Sequence, residues 1–169
     1  MKSKILFVLV LLFVQSFMYA QKASKKCPPL KLDLVTGKLN GLLPSATQAQ
    51  VKKKLPCFTG DSEDGGDFNC GGGVFYLKDD FFFYTGKNFI EIRSKFKGTI
   101  STPLLGMSET NATTALKMEV ERTVKDESGT SKYNFYATKY GCIVVCIEQE
   151  KVSKIAVYDT VADDVELCL

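Results

Sequence analysis

Six cysteines carry most of the chemistry that this sequence offers. An even number of cysteines in an exported protein predicts disulfide bonds. Cys57 and Cys70 flank a loop of turn-forming residues and make the most natural pair. Cys142 and Cys146 lie four residues apart in a predicted strand, so their side chains would point the same way but stand about 13 Å apart, too far to bridge.

The other cysteine pairings stay open. If every cysteine pairs, Cys27 and Cys168 each take one of Cys142 and Cys146, in either order. The competing interpretation is that Cys142 and Cys146 are buried free thiols. Neither interpretation favours a redox enzyme, because the C-x3-C spacing in a strand is not the C-x-x-C arrangement that lowers a thiol pKa at a helix start.

The composition restricts other catalytic chemistry. The chain has no histidine, which removes the commonest general base and metal ligand, and with it Ser-His-acid catalysis and most zinc sites. An acidic loop could bind calcium, but Gly65 and Gly72 fall where the standard loop needs a ligand and a glutamate. We therefore expect no enzyme activity, no metal and no cofactor. The acidic residues are Asp61, Glu63, Asp64 and Asp67.

The first 21 residues are typical of an export signal. Lys2 and Lys4 precede an apolar run over residues 5–14, and Ala20 provides a small residue before Gln21. This pattern predicts a signal peptide over residues 1–20 and a secreted or periplasmic protein. The apolar run is only about half of the ~20 residues that a spanning helix needs, so we expect no membrane insertion after cleavage.

The charge balance argues against nucleic acid as a partner. The chain has 22 basic and 19 acidic residues, and removing Lys2 and Lys4 leaves 20 against 19, a net charge of +1. A nearly neutral chain gives no electrostatic footprint for nucleic acid. The densest basic run, at residues 52–54, is interpreted as the solvated face of a helix.

The elements that position these residues are predicted from their periodicity. Residues 80–96 favour a β-hairpin, because aromatic and β-branched runs flank a glycine-containing turn at residues 85–88. A capping box at Thr47 and Gln50 starts a short helix that ends at Pro56, and Ser108 starts a second helix. Residues 118–124 fit either a strand or a continued helix. Further strands are predicted over 74–77, 133–137, 142–147 and 152–158.

The order of helix, loop and antiparallel strands occurs twice, with matching positions 61 to 63 residues apart. Self-similarity of this kind predicts repeated units. We therefore expect an extended lead-in over residues 21–36 and an α+β domain over 37–169. Its two tandem units, about 37–98 and 99–160, would form a curved sheet with the helices on one face, followed by a short C-terminal tail.

Four segments carry a resemblance to a known family. They are GLLPSATQAQVKKKLP with FYLKDDFFFYTGKNFIEI, and PLLGMSETNATTALK with CIVVCIEQEKVSKIAVY. Over about residues 37–160 the chain resembles the β-lactamase inhibitory protein family, whose fold is also used as a single unit by small outer-membrane assembly lipoproteins. The resemblance implies a protein partner. The chain departs from the inhibitors in lacking a second cysteine-closed loop, and from the lipoproteins in lacking a lipidation cysteine.

Consecutive phenylalanines at positions 81–83 give the positive indication of a binding surface. Since strand side chains alternate, Phe82 and Tyr84 must face away from Phe81 and Phe83. With a two-residue turn, Phe82 and Tyr84 join the aromatic and charged side chains of the next strand, whereas a loop of odd length would exchange the two sets. If helices cover one face only, the other face is open and has the composition of a protein-binding surface. Burial of both faces is the competing interpretation.

These observations favour a secreted or periplasmic, non-enzymatic protein-binding module of inhibitor or immunity type, with a protein partner that the sequence does not identify. The alternative is a structural component of the cell envelope, and an enzyme of unknown type has the least support. The candidate binding residues are Phe82, Tyr84, Phe89, Glu91, Arg93, Tyr136, Tyr140 and Lys154.

Overall fold

The structure is a computed structural model that describes residues 27–65 and 70–168. Within these ranges the chain forms eleven strands, two α-helices and one 3-10 turn. The predicted signal peptide and Asp67 lie outside the described residues.

The elements follow one another in a simple order along the chain. The first half contains β1 (Lys31–Asp33), β2 (Lys38–Leu39), α1 (Gln48–Lys54), β3 (Gly60–Ser62), β4 (Gly73–Tyr76), β5 (Phe81–Tyr84) and β6 (Phe89–Arg93). The second half contains β7 (Thr99–Ile100), α2 (Glu109–Leu116), β8 (Arg122–Lys125), β9 (Ser131–Thr138), β10 (Gly141–Glu148), β11 (Lys151–Tyr158) and the 3-10 turn (Ala162–Asp164).

Eight of the strands form one antiparallel sheet with the order β3-β4-β5-β6-β11-β10-β9-β8. The two halves of the chain meet at its centre, where β6 pairs with β11 and Ile92 lies opposite Ile155. A second, small sheet has the order β2-β1-β7, and its β1 and β7 run parallel.

The central hairpin has the register that an even turn produces. Tyr84 pairs with Phe89 and Phe83 with Ile90, so residues 85–88 form the connection. Asn88 has a φ of 51°, in the left-handed region that asparagine tolerates better than most residues. The predicted strands over 74–77, 133–137, 142–147 and 152–158 are present within a residue or two, and residues 122–125 resolve the open alternative as a strand.

Both predicted helix starts are also confirmed. The Thr47 side chain accepts a hydrogen bond from the Gln50 backbone N–H, and the Gln50 side chain accepts one from the Thr47 backbone N–H. Ser108 caps α2 in the same way by accepting from the Asn111 N–H. Each cap satisfies a backbone donor that the first turn leaves unpaired.

The predicted α+β architecture of two tandem helix-plus-strand units is wrong. The described residues are mostly sheet, and strands from both proposed units are joined in one eight-stranded antiparallel sheet. The helices are seven and eight residues long and bury one side chain each, Val51 and Ala112. The fold is therefore held by its sheets. β1 and β7 further tie the predicted lead-in to the start of the second proposed unit.

One face of the large sheet, which we call the first face, is fully covered. α1, α2 and the small sheet pack on it and close a continuous apolar core. Side chains alternate along each strand, so this core takes every second residue of β4, β5, β6, β10 and β11. Its fully buried members include Val74, Phe81, Phe83, Ile90, Ile92, Ile143, Val145, Ile155 and Val157.

The disulfide prediction is partly wrong. Cys27 pairs with Cys57 and Cys70 with Cys168, so the proposed Cys57–Cys70 bond does not form. Cys142 and Cys146 are buried free thiols, the competing interpretation of the sequence. The reason is topological: Cys27 and Cys168, at the two ends of the described chain, lie at the two ends of the cysteine-bracketed loop. Two disulfides fit an extracellular protein.

Neither α-helix spans more than eight residues. Over the described ranges, no helix is long and apolar enough to cross a membrane.

Candidate functional site

The opposite side of the large sheet, which we call the second face, carries a row of five aromatic rings. The rings come from β4, β5, β6 and β11 and run across the strands. Neighbouring centroids are 6.1 Å apart for Phe75 and Phe82, 5.9 Å for Phe82 and Tyr84, 4.4 Å for Tyr84 and Phe89, and 4.6 Å for Phe89 and Tyr158. Stacking at these separations stabilises the row beyond its area burial.

Charged side chains lie near the end of this row that Phe75 and Phe82 form. The Arg93 guanidinium stands 4.1 Å from the centroid of the Phe82 ring, a cation–π geometry, and its Nε donates to Glu91 Oε1 at 2.6 Å. Lys154 Nζ lies 3.5 Å from Glu148 Oε1. Burial raises the pKa of Tyr84, and the negative charge of Glu91 raises it further. The second face thus presents two ion pairs, and the arginine of one of them lies over an aromatic ring.

A tail formed by residues 159–168 covers the end of the row that Phe89 and Tyr158 form. Ala162 and Val165 are buried against Phe89, Phe135 and Tyr158 in a second apolar cluster. The cluster also contains Cys142, Val144 and Ala156, with Leu167 packed against its edge.

Two attachments hold the tail in place. The Cys70–Cys168 disulfide fixes its end. On the other side, Arg122 donates from Nη2 to the Val165 carbonyl at 3.1 Å, while its guanidinium lies 4.0 Å from the Phe135 centroid. Residues 159–168 therefore cover only part of the second face. A small cleft of about 30 Å³ marks that boundary, lined by tail residues Leu167 and Cys168 and by sheet residues that include Glu91, Cys146 and Lys154.

The two free thiols also face this side of the sheet. Burial raises the pKa of Cys142 to about 12 and raises the pKa of Cys146 as well. The Cys146 thiol donates weakly to Glu148 Oε1 at 3.6 Å. A thiol attacks as its thiolate, so raised pKa values make both groups poor nucleophiles at neutral pH.

The structure brings five of the eight predicted binding residues together on the open part of the second face. These are Phe82, Tyr84, Glu91, Arg93 and Lys154. Four of them are partly exposed, whereas Phe82 is 8% exposed, with the Arg93 guanidinium over its ring. Phe89 belongs to the same face but is 1% exposed, because Tyr84, Tyr158 and the tail enclose it. A partner cannot reach Phe89 while the tail is in place.

Tyr136 and Tyr140 belong to the opposite side. Tyr136 is fully buried in the first-face core, and its hydroxyl lies 2.9 Å from Thr113 Oγ1 on α2. Tyr140 packs against the same core and donates to the Leu34 carbonyl at 2.8 Å. Both are structural residues here, since their polar ends are already satisfied within the chain.

The acidic loop is used in local contacts. Asp61 forms an ion pair with Lys52 at 2.5 Å. Asp64 accepts from Gln48 Nε2 at 2.9 Å and from the Thr85 hydroxyl. These bonds tie the loop to α1 and to the central hairpin. No group of three or more acidic or cysteine side chains converges as a metal site in residues 27–65 and 70–168.

Sequence reasoning predicted a short C-terminal tail but missed that this tail covers part of the second face and so decides how much of it is open. The signal was present in the apolar residues Ala162, Val165 and Leu167, which end at a cysteine. Such a spacing is too short to show a helix or strand period. Phe75 and Tyr158, at the two ends of the row, were also missed, because neither stands out in its own strand.

Comparisons with known proteins add no family to this picture. Protein-family models, curated proteins and solved structures gave no match to the chain. The resemblance to the β-lactamase inhibitory proteins remains a prediction, and any function must be argued from the second face itself.

Proposed function

We propose that this protein is a secreted or periplasmic, non-enzymatic protein-binding module of inhibitor or immunity type. It grips its partner with the open part of the second face, formed by Phe82, Tyr84, Glu91, Arg93 and Lys154. The observation that carries the proposal is the Arg93 guanidinium at 4.1 Å over the Phe82 ring, since neither residue belongs to the cluster that the tail covers.

The composition of this surface supports a protein partner. Aromatic residues and arginine are the side chains most enriched in the cores of protein interfaces. Arg93 and Glu91 are paired before a partner arrives, and the rings beneath them are stacked. A surface ordered in advance loses less side-chain freedom on binding, which leaves more of the contact energy for affinity.

Other features support export and a non-catalytic role. Two disulfides suit an oxidising compartment. The chain lacks histidine, the commonest general base. Burial raises the pKa values of both free thiols, which makes them poor nucleophiles.

A capture experiment with paired charge-reversal variants tests the proposal. The tagged protein without residues 1–20 is incubated with the envelope fraction and growth medium of the source cells, beside R93E/K154E and the control K78E/K139E. Lys78 and Lys139 are exposed residues outside the second-face cluster. We expect wild type and control to retain the same protein, and R93E/K154E to lose it, because the reversed charges oppose the partner's surface.

Equal capture by all three proteins would contradict the proposal. Thermal unfolding of R93E/K154E within a few degrees of wild type shows that a loss of capture is not a loss of folding. Retention of the complex in the outer-membrane fraction, rather than in the wash, would favour the envelope-component alternative.

A further inference from the structure

A cleft in the described part of the chain lies away from the second face, beside α1. Its volume is about 690 Å³, within the range of small-molecule sites. α1 forms one wall and the turn after β2 forms the other. The lining residues are Lys38, Gly41, Leu42, Leu43, Ser45, Ala46, Gln50, Lys53 and Lys54.

The charge of this cleft is of one sign. Lys38 comes from β2, whereas Lys53 and Lys54 come from the last turn of α1, and no carboxylate lines the cleft. None of the three takes part in the ion pairs that the described residues form. Their neighbour Lys52 differs, because Asp61 neutralises it.

The helix end offsets only part of this charge. The C-terminus of a helix carries the equivalent of about −0.5 elementary charge, against three ammonium groups. The remaining positive potential favours an anion in the cleft. The Lys54 ammonium lies close to the opposite wall of the cleft: a Cβ built on Gly41, whose φ is +80°, would stand 3.6 Å from Lys54 Nζ, an ordinary contact distance.

The cleft also has an apolar wall. Leu42 and Leu43 lie at its edge with Ala46 behind them, and Leu43 is 41% exposed, one of five large apolar side chains left at the surface of the described residues. Exposed apolar area next to a concentration of like charge suits a ligand that has both an apolar body and an acid group.

We infer that this cleft binds an amphipathic anion, an acid group carried on a short aliphatic chain. Lys38, Lys53 and Lys54 hold the acid group, and Leu42, Leu43 and Ala46 contact the chain. The lysine ammonium groups attract the acid group of the ligand, and burial of the exposed Leu43 side chain favours contact with the aliphatic chain. The site is separate from the open part of the second face, so the two proposals succeed or fail independently.

Calorimetric titration with three probes tests this inference. The probes are decanoate, the uncharged decyl glucoside and inorganic phosphate, each titrated at low salt into the disulfide-bonded protein. We expect saturable one-to-one binding of decanoate, with much weaker heats from the other two. Decanoate affinity falls as salt is raised, because the ammonium groups are screened.

Three variants sharpen the result. K53Q/K54Q weakens decanoate binding by about tenfold or more, since it removes two charge-assisted contacts. L43S weakens it by several-fold through the loss of apolar contact. K125Q/K139Q, which changes exposed lysines outside the cleft, leaves it unchanged.

The inference is overturned by any of three outcomes: no saturable decanoate binding to wild type, equal affinity in K53Q/K54Q, or phosphate binding as tight as that of decanoate. The substitutions lie at exposed positions, and Gln is almost as good a helix former as Lys. Far-UV circular dichroism confirms that each variant is folded before titration.

Discussion

The two faces of the large sheet are built from the same strands but are closed in different ways. The first face is covered by two helices and a three-stranded sheet, which contribute side chains from many parts of the chain. The second face is closed over part of its area by a single ten-residue tail, held by one disulfide and one arginine.

This difference shows that the covering element decides which strand positions become core. On β6, Phe89 is enclosed at the tail end of the second face, whereas Glu91 and Arg93 point to the same side and stay partly exposed where the tail has ended. The strand changes from aromatic to charged within five residues. Along β6, the residue type therefore depends on whether the tail covers the position as well as on which side of the sheet the side chain faces.

The largest expected effects on stability come from alanine substitutions of two neighbouring phenylalanines in β5, one on each face of the sheet. Phe83→Ala empties a fully buried first-face position, and we expect it to lower the free energy of unfolding by about 3–5 kcal/mol. Phe82→Ala removes a ring that is 8% exposed and covered partly by the half-buried Arg93 side chain, and we expect a loss of about 1–3 kcal/mol. Guanidinium unfolding measures both, and equal losses would show that the second face is packed as a second full core.

Removing each disulfide in turn tests how far the tail depends on its attachment. Cys70 and Cys168 are 98 residues apart and Cys27 and Cys57 are 30 apart. Removing a disulfide typically lowers the free energy of unfolding by about 2–4 kcal/mol, and loop-closure entropy makes the loss in C70S/C168S about 1 kcal/mol larger than the loss in C27S/C57S. Thermal unfolding checks the order.

C70S/C168S should also expose the part of the second face that the tail covers, whereas C27S/C57S should not. With the tail released, iodoacetamide at pH 8 should label Cys142 faster than in wild type, whereas C27S/C57S should label it at the wild-type rate. Mass spectrometry of the labelled peptide distinguishes the two. Unchanged labelling in C70S/C168S would mean that Arg122 and the apolar contacts hold the tail without the disulfide.

Alkaline pH should weaken the covered part of the second face. Burial raises the Cys142 pKa from its ordinary value of 9.0 to about 12, so folding favours the neutral thiol. Its contribution to stability is therefore complete below pH 9 and is lost as the pH rises toward 12. We expect Cys142→Val to unfold with a shallower pH dependence than wild type between pH 9 and 11. Parallel curves would contradict the burial of this thiol.

The smallest effect on stability is expected on the open part of the second face. Arg93 and Lys154 are about one-third exposed and their ion pairs are near the surface, so R93Q and K154Q should each change the free energy of unfolding by less than about 1 kcal/mol. Denaturant unfolding of each variant measures the change. A loss of several kcal/mol at Arg93 would place it in the core and remove it from the proposed binding surface.

Local signals predicted the local structure. Alternation around residues 85–88 left two registers open, and the structure has the even one. Both helix starts followed from a hydroxyl cap at Thr47 and Ser108. Once the register is even, alternation alone places Phe82, Tyr84, Phe89, Glu91 and Arg93 on one face.

Long-range partners were beyond these signals. The pairing of Cys70 with Cys168, the closing of Phe89 under the tail and the pairing of β1 with β7 each join segments far apart in sequence. The strands that were missed have two or three residues, too few for a period. The repeat of helix and strands was over-interpreted as an architecture, because hydrogen bonding across β6 and β11 makes both halves one sheet.

That central pairing also governs when the protein can fold. Ile92 meets Ile155, so β6 gains its central neighbour only after β11, much later in the chain, has been synthesised. The tail follows β11 and covers its part of the sheet later still. Contacts between such distant segments make folding slow, because loop closure must precede the gain from packing. The tail end of the aromatic row is therefore among the last parts of the described chain to be covered.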